Sequence, residues 1–413
     1  MSKRKPIVVL PPEVATDAPI TVASYQRAAA RTDRMDRSEI GTPILGLFGE
    51  IGSLLATLKK KRREGEAYAT YNETIVEELG DVLWYLNTVA SHAHLDMVDL
   101  AHHVPHDGLA SWSEATINKD ITFVALEAHA DKAPRDITEY ASELAGCAGE
   151  LVEANRTRKL DGNRDAVSGR LLGILRCLVS MAQSAGVALD VAARENLHKT
   201  FSRWPLDPEN PTYPTALVPD EELPPNERFP RRFEMFIKEH TVAGKTYVLQ
   251  KRNDVIIGDR LTDNKAKKDD YRFHDVFHVA YAVHLEWSPV LRALFKIKRK
   301  SRPELDENED GARAILIEEG IATFVFGRAL ERNLFEGLDH LDYDLLKLVQ
   351  ELVRGFEAER FAAWQWERAI LDGFKVFRAI TRSKDRGGWV VADLDKHSFE
   401  FVPGIEDERP LPR

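Results

Sequence analysis

The sequence predicts a mainly α protein: two tandem helical-bundle repeats, then a C-terminal α-rich domain with a small β-sheet. Three observations lead there. Apolar residues recur at helical spacing across residues 21–105 and again across 132–206. The two stretches resemble each other: "LFGEIGSLL" answers to "CAGELVEAN", and "EELGDVLWYLNTVASHAHLDMVDLA" to "GRLLGILRCLVSMAQSAGVALDVAA". Two unrelated helical hairpins are the alternative to a true repeat, because amphipathic helices resemble one another by default. Third, the composition changes after Pro205, and strand-like runs appear on both sides of a further helical stretch.

The first repeat opens with "TPILGLFGEIGSLLATLKKKR", apolar at 44, 47, 48, 51, 54, 55 and 58 and closed by a basic run. A polar loop leads to "IVEELGDVLWYL", where Ile75, Leu79, Val82, Leu83 and Leu86 mark a core-facing stripe. A third helix is expected around "HLDMVDLAHH", before the Pro-, His- and Gly-rich "HHVPHDGLASW" breaks the pattern. Helical character resumes near Asp136 and runs to "ENLHKTFSRWP". Residues 207–228 are rich in proline and acid and read as a linker. Beyond it, 229–413 forms the third domain. "FEMFIKEH" and "KTYVLQKRNDVIIG" read as strands, Asp270 to Phe377 as mostly helical, and "GWVVADLD" with "SFEFV" as a hairpin.

At 413 residues and 43% hydrophobic content, each domain can build its own core. A net charge of −10 argues against general nucleic-acid binding, since no excess of cations exists to displace counterions. Cys147 and Cys177 lie in apolar helical contexts and read as reduced core residues of a cytoplasmic protein. "IVVL" near the start is too short for a signal-peptide core. No run of about 20 continuous apolar residues suggests a membrane span.

Glu78 and Asp81, one turn apart beside the apolar stripe, repel each other unless a cation lies between them. With Glu50 on the preceding helix they supply three oxygen-bearing groups, a set suited to magnesium completed by water and phosphate oxygens. Lys59, Lys60 and Lys61 are candidates to meet the remaining phosphate charge. The second repeat carries Glu150 and Glu153, again three apart. A single E-x-x-D is more often a solvated helix flank; recurrence at matching places favours a site.

"GLFGEIGSLLATLKK" followed by "EELGDVLWYL" resembles the all-α nucleotide pyrophosphohydrolases of the MazG-like group, over about residues 24 to 205. That family's pattern is E-x-x-E on one helix and E-x-x-D on the next, then an Asn/Lys-bearing helix and often an "RWP"-like ending. The resemblance implies a four-helix bundle assembled as a homo-oligomer. It also implies magnesium-dependent cleavage of a nucleoside triphosphate to monophosphate and pyrophosphate, with manganese an acceptable substitute. Glu50, Glu78 and Asp81 are then the catalytic metal ligands, Glu150 and Glu153 further candidate ligands, and Lys60, Lys61, Asn196 and Lys199 candidate substrate contacts. The chain departs from the pattern at Ser53, where the second Glu is expected, and at Arg170 and Gly173, where E-x-x-D is expected. Asn196 and Lys199 occur only in the second repeat. Each half lacks what the other keeps, so either one site survives between them or the repeats only sense nucleotides.

In the third domain, "YRFHDVFHVAY" sets His274, Asp275 and His278 together, and "AILIEEGIATFVF" places Glu318 and Glu319 inside an apolar run. A buried carboxylate needs a cation, an arginine or a metal beside it. Two histidines at i, i+4 with a glutamate suit zinc, manganese or iron; a structural His/Glu network is the other reading. "KIKRKSR", residues 296–302, is a candidate phosphate-binding rim. The segment faintly resembles domains attached to some MazG-like proteins.

Overall fold

The computed structural model describes residues 6–104, 120–130, 135–213 and 218–410. Most of the Pro/His/Gly-rich break after the first repeat, and part of the proline-rich linker, lie outside them. The chain divides into two compact units, Val8–Pro211 and a second that runs from Thr212 onward and also takes in Ile7, whose amide donates to the Arg360 carbonyl.

Among its described residues the N-terminal unit is built of helices, apart from one isolated bridge between Thr21 and Thr122: α1 Val22–Ala30, α2 Gly41–Glu64, α3 Tyr71–His92, α4 Met97–His103, α5 Phe123–Glu127, α6 Ile137–Arg156, α7 Arg164–Ser184 and α8 Leu189–Arg203. Local chemistry starts and stops these helices. Thr21, Asp96, Asp136 and Asn163 each accept a hydrogen bond from a first-turn amide of the helix they precede. Helix α2 ends with Lys61, Arg62 and Arg63 in its last turn and Gly65 at φ 57°, a backbone conformation that glycine adopts cheaply.

Helices α2 and α3 pack as one hairpin and α6 and α7 as another, with α2 against α6 and α3 against both α7 and α8. Leu47, Ile51 and Leu54 of α2, Leu79 and Leu83 of α3, and Leu144, Leu171 and Leu175 of the second hairpin share one core, each at most 1% exposed. Each such side chain contributes about 1.5–3 kcal/mol by leaving water. The segments 21–105 and 132–206 therefore do not have separate cores. Among the described residues α2 is, by length and composition, apolar enough to cross a membrane, as core helices also can be; in the fold its apolar stripe faces this core.

Among its described residues the second unit holds a five-stranded antiparallel sheet and six α-helices. The elements are β1 Arg232–Val242, β2 Lys245–Arg252, β3 Val255–Leu261, α9 Asp275–Leu285, α10 Pro289–Phe295, α11 Pro303–Asn308, α12 Ala312–Leu330, α13 Tyr343–Leu352, α14 Ala363–Arg382, β4 Gly387–Asp393 and β5 Ser398–Pro403. The strand order is β3-β2-β1-β4-β5, so the terminal hairpin joins the first strand rather than standing alone. Two-residue turns link the first three strands: Ala243-Gly244 at φ 49° and 75°, and Asn253-Asp254 at 49° and 62°. Two successive positive φ values match the right-handed twist of the paired strands. Helix α9 is buried along its whole length, packed on α14, α12, α10, β4 and β5. Its polar residues must find partners inside the protein.

The later part of the expected linker is folded structure. Leu223 and Glu227 are buried, and Arg292 donates to the Glu227 carbonyl. Within the expected phosphate rim, Lys296 and Lys300 are exposed, whereas two other members make internal contacts. Arg299, 3% exposed, is paired with Asp310 and Glu357, and Ser301 donates to Glu227.

Candidate functional site

Glu50 from α2 and Glu78 and Asp81 from α3 bring one carboxylate oxygen each to within 4.8 Å of one another. The α2–α3 packing sets Glu50 opposite the α3 pair, and all three side chains lie at the partly exposed margin of the core. The positive charge that this cluster needs comes from the other half of the unit. Lys199 Nζ on α8 lies 2.5 Å from Asp81 Oδ2 and 3.0 Å from Glu77 Oε1. Asn196 Nδ2, one turn earlier, donates to Asp81 Oδ1 at 3.0 Å, and the Tyr25 hydroxyl donates to Asn196 Oδ1 at 3.1 Å.

Gly80 makes this possible. A Cβ there would stand 2.7 Å from the Ala192 carbonyl oxygen and 2.9 Å from Asn196 Cβ. Glycine lets α8 close onto α3, which carries Asn196 and Lys199 to Asp81.

The electrostatics are those of an incompletely neutralised cluster. Burial and the neighbouring Asp81, Glu50 and Glu77 push the Glu78 carboxyl up to about 7, against the pull of Lys199. Glu50 is raised by burial and by Asp81, and Asp81 is raised by burial despite the contacts of Lys199 and Asn196. An all-oxygen set under this repulsion fits a hard divalent cation, which replaces like-charge repulsion by coordination.

Glu150 and Glu153 do not belong to this cluster. Both are exposed, and Glu153 forms an ion pair with Arg156 at 2.7 Å. Arg170, which stands where the resemblance leads one to expect an acid, donates to the Ala166 carbonyl. Lys60 and Lys61 are also used elsewhere: Lys60 lies over the Tyr68 ring, and Lys61 bonds Glu66 and the Gly65 carbonyl. Ten residues along α2 separate Lys60 from Glu50, about 15 Å of helix. Glu77 and Tyr25 were not singled out from sequence. Glu77 sits beside Glu78 in the quoted motif, so a partner for a third acid was a readable need. Nothing in the sequence marks Tyr25.

In the second unit, His274, Asp275 and His278 likewise bring ligand atoms within 4.8 Å. Glu318 is fully buried and fully committed, accepting from His278 Nδ1 at 2.8 Å, the Ser288 hydroxyl at 2.6 Å and the Val290 amide at 2.8 Å. It ties α12 to α9 and α10 rather than facing the cluster. Glu319 does face it, its Oε2 3.6 Å from the Nε2 of both His274 and His278.

Residues 215–404, somewhat under half of the chain, are similar to the family model described as "MazG C-terminal domain". No curated protein and no solved structure matches the chain.

Proposed function

We propose that the protein is a magnesium-dependent nucleoside triphosphate pyrophosphohydrolase acting at the Glu50–Glu78–Asp81 cluster. The observation that carries this reading is the convergence of the three carboxylates with Lys199 and Asn196, which the other half of the same unit supplies. The similarity of residues 215–404 to the MazG C-terminal domain supports it at the level of family. Glu50, Glu78 and Asp81 would hold magnesium, or manganese in its place, which when bound screens phosphate charge and lowers the pKa of a water. Asn196 and Lys199 orient Asp81, and the Lys199 ammonium is available to the polyphosphate once a divalent cation takes over its role beside Asp81. Water attacks the α phosphorus, the α–β anhydride bond breaks, and monophosphate and pyrophosphate leave.

The test is pyrophosphate release across the common ribo- and deoxyribonucleoside triphosphates, with magnesium and with EDTA. Glu78→Gln and Asp81→Asn should each cost at least about 100-fold in rate, as expected for several kcal/mol of lost charge stabilisation, while the fold persists. Tight nucleotide binding without pyrophosphate release would instead favour a nucleotide-sensing role, to which Arg170 and Gly173, standing where the resemblance leads one to expect acids, lend weight.

A further inference from the structure

His274 and His278 are held in one orientation by contacts on the far side of each ring. The His274 Nδ1 lies 2.9 Å from the Tyr271 carbonyl oxygen, and His278 Nδ1 lies 2.8 Å from Glu318. A carbonyl only accepts, so His274 Nδ1 carries the hydrogen, and the Glu318 carboxylate selects the same tautomer for His278. Both Nε2 atoms are then turned toward carboxylates: Asp275 Oδ1 is 3.2 Å from His274 Nε2, and Glu319 Oε2 is 3.6 Å from each ring. At 3.6 Å no hydrogen bond forms, and His278 Nε2, in a residue 0% exposed, has no hydrogen-bond partner. Asp275 is oriented as well, its other oxygen accepting from the buried Gln250 amide. Two imidazole nitrogens and two carboxylate oxygens thus converge on one place, an arrangement that a proton on each ring or a single cation between them would satisfy.

We propose that His274, His278, Asp275 and Glu319 bind a first-row transition-metal ion, zinc, manganese or iron(II), as a centre separate from the all-oxygen cluster. Ligand atoms about 2.0–2.2 Å from a tetrahedral ion stand about 3.3–3.6 Å apart, near the 3.2 Å between Asp275 and His274 and the 3.6 Å from Glu319 to each ring. Glu318, the Tyr271 carbonyl and Gln250 form the outer contacts that fix tautomer and orientation at metal–histidine sites. Nitrogen donors set this centre apart from a magnesium site. The Glu319 side chain, 38% exposed, marks the side open to water, by which the ion enters.

The test uses the full chain, stripped with a chelator and titrated with zinc, manganese or anaerobic iron(II) in excess magnesium. One ion per chain is expected, retained in Glu78→Gln. His274→Ala/His278→Ala should lose it, Glu319→Gln should bind at least about 10-fold more weakly, and Glu318→Gln about 10- to 100-fold more weakly. Glu319→Gln changes a partly exposed residue and keeps the fold, so it stands as the control if the histidine variant unfolds. Equal binding by wild type and Glu319→Gln would overturn the proposal. So would an ion lost in Glu78→Gln, or a stripped protein that takes up none of the three metals.

Discussion

The ammonium of Lys199 on α8 lies 2.5 Å from the Oδ2 of Asp81 on α3, 118 residues earlier in the chain. This contact joins residues from two distant parts of the same unit. The earlier part supplies Glu50, Glu78 and Asp81; the later part supplies Asn196 and Lys199. Packed in one core, they make a single constellation in which Lys199 answers the repulsion that "EELGD" sets up.

The close approach of α8 depends on Gly80. Gly80→Ala adds a methyl 2.7 Å from a backbone oxygen, which no change of rotamer relieves. The expected cost is about 1–3 kcal/mol from overpacking, larger than the gain of up to about 1 kcal/mol in helix propensity. Thermal unfolding should report the loss, and pyrophosphate release should fall as Asn196 and Lys199 draw back. An unchanged melting temperature together with full activity would contradict this account of the glycine.

A pH dependence follows from Glu78, raised from its usual 4.5 to about 7 by burial and neighbouring carboxylates. The folded state keeps a proton that the unfolded chain releases near its ordinary carboxylate pKa. Stability of the metal-free protein should therefore fall as pH rises from about 4.5 to 7, and remain lower above that window. Magnesium should restore it, and Glu78→Gln should flatten the slope. Lys199 lowers the pKa of all three acids, so Lys199→Met should move the acid limb of kcat/KM at subsaturating magnesium to higher pH. A limb that stays in place would show that Lys199 does not govern their ionisation.

Glu150 and Glu153 are exposed, and the salt bridge of Glu153 to Arg156 is of the kind worth about 0–1 kcal/mol. Glu150→Gln/Glu153→Gln should leave both pyrophosphate release and stability near those of the unaltered protein. A loss comparable to that of Glu78→Gln would restore these two residues to the working site.

What the sequence determined by itself were the local features. The stripe Ile75, Leu79, Val82, Leu83 and Leu86 made α3 readable because helical periodicity is a short-range pattern, and all five residues are buried. The strands within 232–261 and the hairpin 387–403 were legible as short strand-like runs, again a local feature. The need for a cation beside Glu78 and Asp81 was legible too, since charge spacing on one helix is local. Its source was not. Whether Lys60, Lys61 or Lys199 answers it depends on which helix a glycine lets approach, and tertiary packing chose Lys199. The same holds in the second unit. Sequence put Glu318 and Glu319 in one apolar run, but the rotation of α12 against α9 decided that Glu318 anchors His278 while Glu319 faces its free nitrogen. Adjacent residues on a helix point about 100° apart, so only the packed structure could separate the supporting carboxylate from the one that faces the cluster.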